Sequence, residues 1–206
     1  MLTELLKNKE FNKIIKSFIG NKEVIDIILY GSAVKGKEIP NDIDMLIIFS
    51  DKIEKQTKEV LSYKIKKELE KVNKNFQLIS KKYSEIFSAE FIVRESIISE
   101  GFSLKNKNFI SDSLGYSNLV LFKYSLKNLN NSQRMRFYYS LYGRGKQEGI
   151  LKKEKAYKFS NEIILSHVST SEIIKSFLEK WQIKYTSMPI MLPKRILKYK
   201  IEKDTI

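Results

Sequence analysis

Residues 29–49 read LYGSAVKGKEIPNDIDMLIIF, and this stretch decides the fold of the first half of the chain. Val24-Ile25-Asp26-Ile27-Ile28-Leu29-Tyr30 is apolar and rich in β-branched residues, so it reads as a buried strand. It stops at Gly31-Ser32. Gly31 permits close backbone approach to a ligand, and Ser32 adds a hydroxyl and an N–H. If a helical turn opens over Ser32–Lys35, its unpaired N–H groups and dipole favour an anion. Gly36, Pro40 and Asn41 mark a loop. Asp42-Ile43-Asp44 then heads a second apolar strand through Phe49. With a period of two, Asp42 and Asp44 share one face. Two neighbouring carboxylates repel unless a cation lies between them, and oxygen-only ligands suit Mg²⁺, normally completed by water and substrate phosphates. Nine residues separate Ser32 from Asp42. Neither a Gly-Ser turn nor a D-x-D pair is specific alone; together, between two apolar strands, they point to nucleotide chemistry.

At these residues the chain resembles the nucleotidyltransferase superfamily with the DNA polymerase β-like catalytic fold, and within it the minimal nucleotidyltransferases. The resemblance covers about residues 1–100. It implies an α+β catalytic sheet of mixed strand direction. It also implies Mg²⁺-dependent transfer of NMP from an NTP, with ATP the expected nucleotide, to a hydroxyl acceptor. Gly31, Ser32 and Lys35 would bind the nucleotide, with Lys37 a further phosphate-neutralising candidate. Asp42 and Asp44 would be the catalytic, metal-holding pair. Such proteins normally carry a third carboxylate on a later strand. Here that strand is Phe76-Gln77-Leu78-Ile79, and the neutral amide of Gln77 is a poor metal ligand and no base. Glu38, Asp51 and Glu85 are candidate substitutes that no spacing argument separates.

Composition bounds the rest. The 206 residues suit one large or two small domains, and 42% apolar content suffices for a core. There is no cysteine, so disulfides, thiolate zinc sites and cysteine nucleophiles are excluded. An early acid and no long apolar run argue against a signal peptide, and no stretch approaches a membrane span. A cytoplasmic protein without membrane contact is expected. The net charge of +14 is uneven: residues 1–103 carry +2 and residues 104–206 carry +12. A basic second half suits a polyanionic partner, so RNA is the expected acceptor. The alternatives are a protein adenylyltransferase, as among the antitoxins of the minimal group, and a non-catalytic RNA-binding protein in which Gln77 marks lost chemistry.

The periodicity predicts an amphipathic helix over 2–19 ended by Gly20 and strands at about 24–30 and 43–49. A helix capped by Ser50 or Asp51 follows to about Val72, then a strand over 76–80 and one or two short helices in 83–100. A small hairpin around Lys107-Asn108 completes a nucleotidyltransferase-like domain over 1–110. Turn-rich residues 111–118 precede a smaller basic module over 119–206, read as β-α-β-α-β: strands at 119–126, 163–168 and 184–192, the last broken by Pro189, and helices from Asn131 or Ser132 and from Ser169 or Thr170. Within it, Arg134, Arg136, Arg144 and Lys146 are candidate nucleic-acid contacts, interleaved with tyrosines. Met135, Tyr138, Tyr139 and Tyr142 have helical spacing and are expected to be partly core. The lone His167 is given no role, Trp181 is expected in the core, and Lys194, Arg195, Lys198, Lys200 and Lys203 form a basic tail.

Overall fold

The computed structural model describes residues 2–37, 41–72 and 75–197. Glu38 and Pro40 of the loop, and Lys198, Lys200 and Lys203 of the tail, lie outside the described residues. The chain divides into two compact units, Met1–Leu114 and Gly115–Ile206.

The first unit runs α1 (Leu2–Lys7), α2 (Lys9–Ile19), β1 (Val24–Tyr30), β2 (Ile43–Phe49), α3 (Lys55–Glu70), β3 (Phe76–Lys82), α4 (Arg94–Glu100), β4 (Phe102–Ser103), β5 (Asn108–Phe109) and α5 (Ile110–Ser113). Its five-stranded sheet has the order β3-β2-β1-β4-β5. β2 and β3 are parallel and the other pairs antiparallel. This is the mixed α+β sheet that the family resemblance implies. Alternation along the strands divides two cores. Ile27, Leu29, Met45, Ile47 and Phe49 join Phe11, Ile14, Ile15 and Phe18 of α2 and Ile65 and Leu69 of α3. Ile28, Tyr30, Leu46 and Ile48 face the other way, onto Ile86, Phe91 and Ile97. Phe11 is wholly buried and stacks on Phe76 with centroids 6.0 Å apart; burying such a ring contributes about 1.5–3 kcal/mol.

Two boundaries differ from expectation. The first helix is two, because the Asn8 side chain accepts the Phe11 N–H at 2.9 Å and so starts a new helix. α3 starts at Lys55 because Asp51 is occupied elsewhere: its carboxylate accepts the Ser84 N–H at 2.9 Å and hydroxyl at 2.7 Å.

The second unit contains β6 (Tyr116–Ser125), α6 (Asn131–Tyr142), β7 (Gly143–Arg144), β8 (Gln147–Glu148), α7 (Ile150–Lys153), β9 (Tyr157–Ser160), β10 (Ile163–His167), α8 (Ser171–Lys180) and β11 (Lys184–Pro193). The sheet order is β11-β6-β10-β9, antiparallel throughout. Phe122, Tyr124, Phe137, Leu141, Ile174 and Leu178 form its core, with Trp181 edge-on to Phe137 at 5.6 Å. β11 is continuous through Pro189, which an edge strand tolerates. The cap of α6 is Asn130, in a reciprocal capping box with Gln133. The β7–β8 hairpin, α7 and β9 are too short for periodicity to reveal. No helix among the described residues is long and apolar enough to cross a membrane.

Candidate active site

β1 ends in a tight turn. Gly31 has φ +70, and Gly31–Ala33 forms one 3₁₀ turn closed by bonds of 3.3 Å from Val34 N to Gly31 O and from Lys35 N to Ser32 O. The N–H groups that open such a turn have no acceptor within it. Glycine at position 31 suits the site for a second reason: a Cβ there would run into the Asp44 carboxylate, which would have to shift. Strand register explains the meeting, since antiparallel pairing sets Tyr30 opposite Asp44. The Gly-Ser turn and the D-x-D pair are thus in direct contact, which no sequence spacing states.

Parallel pairing of β2 with β3 sets Gln77 opposite Asp44. Its Nε2 donates to Asp42 Oδ2 at 2.6 Å. The amide therefore stands beside the carboxylate pair where a third acid was expected. Asp51 and Glu85 do not replace it. Asp51 lies seven residues past Asp44, on the order of 20 Å along the strand direction at the usual rise. Glu85 sits beyond the same end of β3, where it accepts the Lys82 N–H and pairs with Lys58 at 3.3 Å. Hydrogen bonds to the carboxylate hold both acids below the ordinary range.

Asp44 is raised above its ordinary value, first by burial and then by the Asp42 charge. Burial and the same two carboxylates push the Tyr30 phenol up to about 12. Among the described residues no three His, Cys, Asp or Glu side chains group as a metal site. The donor set is two carboxylates whose mutual repulsion a divalent cation relieves; it fits a Mg²⁺ that draws its other ligands from phosphate and water.

Lys35 turns to a carboxylate instead of standing open: its Nζ pairs at 2.9 Å with Glu100 at the end of α4, and that carboxylate is buried. Lys37 is exposed on the loop beyond. Glu100 and Tyr30 escaped sequence reading; Glu100 had no signal beyond falling three residues after buried Ile97. A further buried acid, Asp26, ties strands together: Oδ2 accepts the Ser103 hydroxyl at 2.6 Å and Oδ1 the Ile27 N–H at 2.7 Å. Burial raises its pKa against those bonds.

The four basic candidates of the second unit have different surroundings. Arg134 Nε donates to the carbonyls of Leu126 (3.2 Å) and Leu129 (3.0 Å), a structural duty. Arg136 and Lys146 are exposed. The Arg144 guanidinium lies 4.6 Å from the centroid of the Tyr139 ring. The Gly143–Lys146 segment is a tight hairpin, with Gly143 at φ +99, where a Cβ would strike backbone. The expectation that Met135, Tyr138, Tyr139 and Tyr142 are partly core is corrected. All four are exposed, because α6 turns Phe137 and Leu141 inward instead.

Residues 12–109, just under half of the chain, match the family described as Polymerase beta, Nucleotidyltransferase. No curated protein matches the chain. Among solved structures it is similar to a toxin–antitoxin with AMP-PNP, at 16% identity over 50% of this chain and 83% of that one, with a TM-score of 0.33. It is also similar to a tri-AMPylated Shewanella oneidensis HEPN toxin in complex with MNT antitoxin, at 17% identity over 55% and 84%, with a TM-score of 0.32.

Proposed function

Starting from a nucleotidyltransferase domain over residues 12–109, we propose that the chain transfers NMP from an NTP, with ATP the expected nucleotide, to a hydroxyl of RNA. The contact between Gly31 and the Asp44 carboxylate carries this reading, because it joins the turn amides to the carboxylate pair. Gly31 and Ser32 receive the triphosphate through backbone N–H groups and the Ser32 hydroxyl. Asp42 and Asp44 would hold Mg²⁺, which when bound neutralises phosphate charge and steadies the leaving group. The acceptor oxygen bonds to the α-phosphorus as the bond to the β-phosphate oxygen breaks, and pyrophosphate leaves. Gln77 cannot take the hydroxyl proton, so the proton passes to solvent. The basic charge of the second unit favours RNA over a protein hydroxyl as acceptor.

A second reading, a fold that binds RNA without chemistry, is favoured by one observation: the hydrogen bond that the Gln77 amide donates to the Asp42 carboxylate. Incubation with each α-labelled NTP, Mg²⁺ and total RNA or protein tests both. Label on RNA, absent in Asp42→Ala and Asp44→Ala, is expected. Label on protein instead overturns the RNA acceptor, and salt-sensitive RNA binding without transfer overturns the enzyme.

A further inference from the structure

On α6, Met135, Tyr138, Tyr139 and Tyr142 fall within one arc of about 100°, given the helical turn of roughly 3.6 residues. Their exposures are 50, 36, 37 and 43%. An exposed apolar arc opposite a packed one is a surface for a partner. Its details narrow the partner. Tyr138 and Tyr142 stack with centroids 5.9 Å apart and planes 24° from parallel. Arg144 covers Tyr139, and Lys158 Nζ lies 5.7 Å from the Tyr142 centroid. Aromatic faces and cations beside them are the two elements that grip an unpaired nucleotide: a base stacks on a free ring face and the phosphate takes the cation. Around the arc stand Arg136 and Lys146, and residues 131–158 hold eight cations against Glu148 and Glu154. Among the described residues of that segment, one of these cations, Lys152, forms an ion pair, with Glu148 at 2.6 Å. Apart from half-buried Arg134, which bonds to backbone carbonyls, these cations are exposed.

We propose that this tyrosine face of α6, flanked by Arg144 and Lys158, is a stacking platform for single-stranded RNA. A duplex hides its bases and offers only its backbone, so the platform selects unpaired strands. The place of this platform in a reaction rests on the RNA-acceptor reading above. Binding itself needs no NTP and leaves Asp42 and Asp44 aside, so the two ideas fail separately.

The test is fluorescence anisotropy of the full chain with a labelled single-stranded oligouridylate, a matched RNA duplex, and polyglutamate as competitor. Tyr138→Leu and Tyr139→Leu keep bulk but remove the stacking face; each is expected to weaken single-strand binding roughly tenfold. Tyr138→Phe and Tyr139→Phe retain it. Circular dichroism confirms that all four variants fold. Tyr142 is left unchanged because its phenol also acts on that of buried Tyr124. Equal affinity for duplex, leucine variants as tight as the parent, or no binding at low salt each overturns the platform. So does displacement by polyglutamate as effective as by unlabelled RNA, which would make the face a dock for acidic proteins.

Discussion

Gly31→Ala tests whether the Gly-Ser turn and the D-x-D pair are one site. Alanine at φ +70 pays the left-handed cost of about 1–2 kcal/mol. The new Cβ also runs into the Asp44 carboxylate. Asp44 must then leave its rotamer, which costs about 0.5–1.5 kcal/mol more. The sum is about 1.5–3.5 kcal/mol, or a fall in Tm of about 6–14 °C for a unit of this size. In an Asp44→Ala background the collision has no partner, so Gly31→Ala should cost only the backbone share. A double-mutant cycle by urea denaturation should therefore return a coupling of about 0.5–1.5 kcal/mol between positions 31 and 44. In the transfer assay Gly31→Ala alone should lose on the order of 100-fold, since an ångström of misplacement at a reacting centre costs about that much. Additive stability effects would refute the argument: the turn and the carboxylate would then not touch, and the glycine would serve the backbone alone.

Lys35→Met should destabilise more than Glu100→Gln, by about 1–3 kcal/mol for the former. The first strands a buried carboxylate, while the second leaves a lysine that can turn to water; chemical denaturation of both variants measures the difference. Asp26 has a folded pKa above its ordinary value of 3.8, because burial disfavours its charge. Its contribution to stability is thus full below that value and is lost as pH rises through the folded pKa. Asp26→Asn should flatten this part of the profile, read from urea midpoints between about pH 4 and 7 relative to the parent. Arg134→Met should lower stability by about 1–2 kcal/mol through its lost bonds to the Leu126 and Leu129 carbonyls. It should change RNA affinity far less than Arg144→Ala does, as anisotropy would show.

The elements of the first unit were largely legible because each left a local mark. Val24–Tyr30 and Ile43–Phe49 are long apolar β-branched runs, and Gly31 and Asn41 punctuate them. The D-x-D pair marked the head of the second strand, although β2 itself begins at Ile43 and only Asp44 lies within it. Less was legible where a side chain chose a partner far along the chain. Asp51 looked like a helix cap and went to Ser84, and Lys35, read as a phosphate ligand, also pairs with Glu100.

The sequence alone determined the strand–turn–strand unit, the carboxylate pair at the head of the second strand, the amide at position 77 and the basic second half. Each follows from covalent geometry and from side-chain chemistry that needs no distant neighbour. Only the tertiary structure decided that Gly31 abuts Asp44, that Gln77 donates to Asp42, and that α6 buries Phe137 and Leu141 while turning three tyrosines outward. Those outcomes depend on strand register and on which helix face finds a sheet to cover it. Helical periodicity places residues on a common arc, but it is packing against β6 and α8 that selects the arc that goes inside.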